Sequence, residues 1–333
     1  MQRPRGTRPA SPWKVGAALF AGLSCAFALL ELAFAGGRPI GGAAGARDVV
    51  LAELNFLLLA YAVAARLHVV AASRRALAAL APALALAPAE VAREVDAAGS
   101  LRGRWAWGVA GALVAALPPL LVDPGYPVYD PRRWTLEVAW HRVTAPLAGW
   151  WLALLLGVVI GESRRLDRLT ARLRPLDVFD LRPFDPFVRQ GLTHALVLAG
   201  ACAIGLLFLV EDRLGSVAIL IGTIGSVGAA LGLLLPLRGA RARLRATRNA
   251  RLASCRAALA SAAPATAEDG APAGATPGRF ADLAALEARL LALGEWPFDA
   301  STLLRFALYL ALPLGSWAGG AVVERVLETL LDR

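Results

Sequence analysis

The run APLAGWWLALLLGVVIGESRRLDRLTARLR, residues 145–174, passes from one solvent to another within a single stretch. Residues 145–161 carry no charge and are rich in Leu, Val, Ala and Trp, the composition of a helix that crosses ~30 Å of hydrocarbon. From Glu162 onward arginines accumulate, yet Leu166, Leu169 and Leu173 still recur at helical spacing. The reading is a membrane span that opens into a basic amphipathic helix. The remainder of the chain repeats this pattern.

Of 333 residues 57% are hydrophobic and 18% charged, and the apolar residues fall in blocks at 15–35, 49–65, 105–122, 145–161, 187–210, 217–237 and 303–323. These predict an all-α polytopic membrane bundle of seven transmembrane helices. With 34 arginines against one lysine, and abundant Ala, Leu, Gly and Pro, the composition fits a GC-rich bacterial genome and a bacterial inner membrane. The first block follows a basic start and ends Ala33-Phe34-Ala35, as a signal peptide would. Its length and Glu31 favour a retained span.

Charge assigns the sides. With the N-terminus inside, the cytoplasmic segments and their span ends hold 27 of 35 basic and 14 of 25 acidic residues, about +13 inside against −3 outside. Arginine near a span resists translocation, so the expected topology is N-terminus in and C-terminus out. The net charge of +10 is thus read as topology, and no nucleic-acid partner is expected. The bilayer is the first partner, and anionic lipid at the arginine-rich cytoplasmic face the second.

Three regions follow: a six-span part, 1–237, with a helical extension at 162–174; cytoplasmic helices at 238–301 with a flexible linker at 264–278; and the seventh span with an outer tail, 302–333. The basic segment after span six carries Leu244, Leu252, Cys255 and Leu259 on one side, and Phe280, Leu283, Leu286, Leu290 and Leu293 mark another amphipathic helix. Such narrow stripes pack together, across subunits, or on lipid headgroups. The Ala-rich stretch 76–91 is too short to span and is broken by Pro82 and Pro88, which leaves it buried or interfacial.

Polar residues within spans mark the candidate sites. On the seventh span Thr302, Arg305, Tyr309, Ser316, Gly320 and Glu324 share one helical face, opposite Leu304, Leu308 and Leu314, and suit either a pathway lining or a packing seam. Glu31, Glu53 and Asn55 lie toward the outer side and could draw cations into a vestibule. Gly222, Gly225, Ala229 and Gly232 form a small-residue stripe for close helix packing. Pro-Phe-Asp occurs twice, at 183–185 and 297–299, and predicts helix starts with Asp185 and Asp299 as N-caps.

No catalytic residue, metal site or cofactor is predicted. Cys25, Cys202 and Cys255 form no ligand pattern, and His68, His141 and His194 are isolated, with His194 read as a satisfied core histidine.

The segments EWPFDASTLLRFALYLALPLGSWAGGAVVERVLETLL (295–331) and DVFDLRPFDPFVRQGL (177–192) resemble those of uncharacterised bacterial multi-span inner-membrane proteins. The layout is also similar to the seven-transmembrane ion channels typified by insect odorant and gustatory receptors. That resemblance implies a homo-oligomer, with 280–293 as an anchor helix and 303–323 lining a pore. The Thr-Tyr and Gln-Phe signature of the insect proteins is missing, so no pore residue transfers by matching. The leading expectation is an ion channel-like homo-oligomer. A small-solute carrier, or a non-transporting scaffold or sensor that binds anionic lipid or a partner through its arginines, are the alternatives.

Overall fold

A computed structural model describes residues 11–34, 43–101, 103–116, 136–175, 177–210, 215–262, 277–294, 296, 301, 304–309 and 311. Eight α-helices are defined among them: α1 (Pro12–Phe34), α2 (Ala43–Leu80), α3 (Pro88–Asp96), α4 (Trp105–Ala116), α5 (Leu136–Thr170), α6 (Asp185–Leu206), α7 (Gly215–Ala262) and α8 (Pro277–Ala292). The described residues contain no strand, only an isolated antiparallel bridge between Leu84 and Leu173. Four segments are long and apolar enough to cross a membrane: Pro12–Ala33, Val49–Ala83, Arg142–Thr170 and Arg182–Leu206. The fold is therefore all-helical with the makings of a membrane-embedded bundle. The predicted spans 105–122 and 303–323 lie partly outside the described residues, and 217–237 forms part of α7.

Hydropathy marks where apolar sequence stops, but the helices continue. At 1.5 Å per residue, the 38 residues of α2, 35 of α5 and 48 of α7 extend ~57, ~52 and ~72 Å, well beyond a ~30 Å hydrocarbon core. Each continues into the arginine-rich end without a break. The extension from Glu162 is thus the last two turns of α5 itself, ending at Thr170.

A second core makes this continuation stable. Leu166, Leu169 and Leu173 pack with Leu77, Leu80 and Leu84 at the end of α2, and with Leu237, Ala240 and Leu244 of α7. Phe184 and Phe187, both fully buried, close the same cluster from the start of α6. The segment 76–91 is accordingly divided: α2 runs to Leu80, a 3-10 turn spans Ala81–Ala83, and α3 begins at Pro88. Pro82 lies in that turn, and the prolines do break the helix. Backbone hydrogen bonds then tie this turn to the end of α5, with Ala85 N–H donating to Arg172 O at 2.7 Å and Arg174 N–H donating to Ala83 O at 2.9 Å.

The start of α6 departs from expectation. A 3-10 turn, Arg182–Phe184, runs directly into the helix, the cap residue is Phe184 in helical conformation, and no side chain caps the first amides. Asp185 is the first helical residue and pairs with Arg189 at 3.7 Å on the exposed face. The turn and the buried Phe184 ring set the helix direction here, so a capping carboxylate is not needed. Asp185 still favours the helix N-terminus electrostatically. Asp299 and most of the linker 264–278 lie outside the described residues.

Further out, α8 folds back on α7. Leu252, Cys255 and Leu259 meet Leu283, Leu290 and Leu293, with Val178 filling the same cluster. Arg256 Nε donates to Glu287 Oε1 at 2.7 Å, and Arg248 Nη1 donates to Leu293 O at 3.1 Å. Toward the opposite end of the bundle, Phe27, Phe56 and Trp140 interlock α1, α2 and α5.

Candidate functional site

Of the proposed pathway stripe, Thr302, Ser316, Gly320 and Glu324 lie outside the described residues. Arg305 and Tyr309 sit on the helical stretch 304–309, where Phe306 packs against the second core together with Trp296. Arg305, Leu304 and Leu308 are exposed, so among the described residues neither the polar nor the leucine side of this stretch is enclosed. The outer candidates are occupied within the bundle. Ser24 Oγ of α1 donates to Glu53 Oε2 of α2 at 2.6 Å, and the buried Asn55 donates to Leu51 O at 2.8 Å. Glu31 lies near the C-terminal end of α1.

The small-residue stripe lies along the contact of α7 with α6. A Cβ on Gly225 would stand 2.5 Å from that of Cys202, and one on Gly232 would stand 3.2 Å from that of His194. Ala229 is fully buried against Val197 and Leu198. Gly222 lies on α7 one turn earlier.

A node of buried polar groups joins the helices at the level of Gly232. His194 Nδ1 lies 3.1 Å from Ser163 Oγ, His194 Nε2 lies 2.7 Å from Gln190 Nε2, and Gln190 Nε2 donates to Ser73 Oγ at 2.8 Å. All four side chains are buried, and they come from α2, α5 and α6. A serine beside a histidine has the form of a nucleophile and its base. Here both are sealed from solvent and bonded to neighbours, which makes the node a polar lock between helices. Of these four residues, His194 alone stands out in the sequence. The spacing of Gln190 and His194, one helical turn apart within an apolar segment, was the available signal.

One residue from Ser163, a charged layer begins on another face of α5. Glu162 is 1% exposed. Its Oε1 accepts from Gly99 N–H at 3.0 Å and lies 3.7 Å from Arg104 Nη2, while Oε2 lies 3.6 Å from Arg165 Nη1. Arg165 in turn donates to the carbonyls of Glu94 at 3.0 Å and Ala97 at 2.8 Å and pairs with the Glu94 carboxylate at 3.5 Å. Gly99 holds a positive φ of 78° in this turn, a conformation that favours glycine. The turn between α3 and α4 is thereby clamped onto α5.

Beside this clamp opens a recess of about 540 Å³ lined by Arg104, Gly161, Arg164, Asp167 and Arg168. Arg164 and Arg168 are exposed, whereas the Arg104 side chain is 16% exposed. A side chain at 161 would collide with the Arg104 guanidinium. Burial pushes Arg104 below its ordinary pKa, and the neighbouring Glu162 carboxylate opposes that shift. Arg104 Nη1 is buried with no hydrogen-bond partner among the described residues. Immediately after Arg104, Trp105 and Trp107 are exposed at the start of α4, Trp105 to 65%.

What this arrangement can do chemically is hold an anion against two or three guanidinium groups. Among the described residues no three His, Cys, Asp or Glu side chains gather as a metal site. No family model, curated protein or solved structure matches the chain.

Proposed function

We propose that the protein is a membrane-embedded scaffold or sensor of the bacterial inner membrane, whose arginine-rich end faces the cytoplasm and engages anionic lipid. The observation that carries this reading is the continuous helical extension of α2, α5 and α7 out of the apolar bundle into a second packed core. Around that core Arg74, Arg75, Arg164, Arg168, Arg172 and Arg189 are exposed. A basic layer adjoining the spans attracts the anionic inner leaflet, with about 1 kcal/mol for each arginine near the surface and a fall-off within a Debye length. The pathway reading rests on a stripe of which only Arg305 and Tyr309 fall among the described residues.

The test is thermal unfolding of purified protein in neutral detergent with added phosphatidylglycerol or phosphatidylcholine. Phosphatidylglycerol should raise the midpoint, and the gain should shrink in high salt. Equal response to both lipids would refute the reading. In planar bilayers the reconstituted protein should be silent, and unitary currents altered by Tyr309→Ala would favour a conducting pathway instead.

A further inference from the structure

The recess beside Glu162 is built more specifically than a basic surface needs. Gly161, Arg164 and Arg168 fall at spacings of three and four on α5 and therefore share one helical face. Arg104 reaches over that face from the residue before α4, and glycine at 161 is what leaves room for its guanidinium. Glu162 and the Gly99 amide hold one edge of this assembly in place. Nη1 of Arg104 is buried, with no hydrogen-bond partner among the described residues. Asp167 also lines the recess, with its Oδ1 lying over Gly239 of α7.

Depth selects the source of the acceptor. Trp105 and Trp107 are exposed side chains of the kind that settles at the boundary between hydrocarbon and headgroups, and they adjoin Arg104 in the chain. The apolar run of α5 ends at Gly161, in the wall of the recess. The opening thus lies at headgroup level, and about 540 Å³ accommodates a phosphate with its polar substituent.

We propose that the recess formed by Arg104, Gly161, Arg164 and Arg168 is a specific site for the phosphate of an anionic phospholipid, entered from the inner leaflet. The inference rests on the reading of the arginine-rich end as lipid-facing and adds one defined seat to it. Arg164 and Arg168 supply charge-assisted hydrogen bonds at the mouth, and Arg104, held by Glu162, adds its positive charge to the wall. No bond is made or broken.

The experiment is native mass spectrometry of the full chain in detergent, titrated with phosphatidylglycerol, phosphatidylcholine or glycerol phosphate. The wild-type protein should retain one phosphatidylglycerol under activation that strips the others. The double variant Arg164→Gln/Arg168→Gln should weaken that binding roughly tenfold or more, because charge-assisted hydrogen bonds are lost. Both residues are exposed, and an unchanged melting curve will show that the variant folds. The control Arg238→Gln/Arg245→Gln, exposed on α7, should leave the retained lipid in place. If the control weakens binding as much as the recess variant, the defined site is refuted and the broader lipid-facing reading stands. Glycerol phosphate binding as tightly as phosphatidylglycerol would refute the lipid as the occupant. A wild type that does not distinguish phosphatidylglycerol from phosphatidylcholine would remove both the site and the reading beneath it.

Discussion

Glu162 lies 1% exposed between two guanidinium groups and one backbone amide, and the geometry ties its charge to the local fold. Removing one partner of a buried ion pair leaves the other charge uncompensated, which typically costs about 3–5 kcal/mol. Glu162→Gln should therefore lower the thermal midpoint of the purified protein sharply. Adding Arg104→Gln in the same chain should restore part of the loss, and additive losses in the double variant would show that the two residues are not coupled. His194 makes a complementary case. His194→Ala would leave the buried Ser163 hydroxyl without its side-chain partner while Gln190 keeps its bond to Ser73, at about 1–3 kcal/mol for a buried unmet group, and the same melting experiment reads it. The sequence alone exposed His194 as a polar residue in an apolar segment but could not name its partners. Ser73 and Ser163 lie ninety positions from one another and on different helices, and only the packing of α2 and α5 brings them near α6. Arg104 and Gly161 were hidden for the same reason, since nothing local to either marks the other.

At the scale of the element, the small-residue stripe was legible because helical spacing alone puts Gly225, Ala229 and Gly232 on one face. What spacing could not show is how unequal these positions are. A Cβ on Gly225 would meet Cys202 at 2.5 Å, whereas one on Gly228 meets only Leu198 Cδ1 at 3.8 Å. Gly225→Ala should accordingly force α6 and α7 apart and lower the midpoint, by about 1–3 kcal/mol for an overpacked contact. Gly228→Ala should be neutral or stabilise by up to about 1 kcal/mol, because alanine is the better helix former. Equal effects at the two sites would contradict the packing described for α6 and α7. Helix length was the less legible property. Arginine is a good helix former, so the loss of hydropathy after Gly161 and Leu237 ends the apolar stretch without ending the helix. The start of α6 differs from its sequence pattern for a related reason: Asp185 before Pro186 has the sequence of a cap, yet a 3-10 turn anchored by Phe184 already begins the helix.

For the whole molecule, sidedness is the property on which the lipid reading depends, and it rests on charge. The segments assigned to the cytoplasm carry about +13 and those assigned to the outside about −3, a difference that translocation would work against if the chain were inverted. The structure adds a physical consequence: α7 carries its basic half away from the apolar bundle as one continuous helix, so one labelled position on it reports the side for the entire arginine-rich layer. Ala253 is exposed on that half and serves as the reporter. In a chain with Cys25, Cys202 and Cys255 replaced by serine, Ala253→Cys should react with a membrane-impermeant maleimide in inside-out vesicles and stay unlabelled in intact spheroplasts. Cys202 and Cys255 are buried, so a melting curve of the serine background must first show that it retains the fold. Labelling from the outer side would place the arginines across the membrane from the anionic inner leaflet. The recess could then no longer receive an inner-leaflet headgroup, although the helical packing around Glu162 would be unaltered.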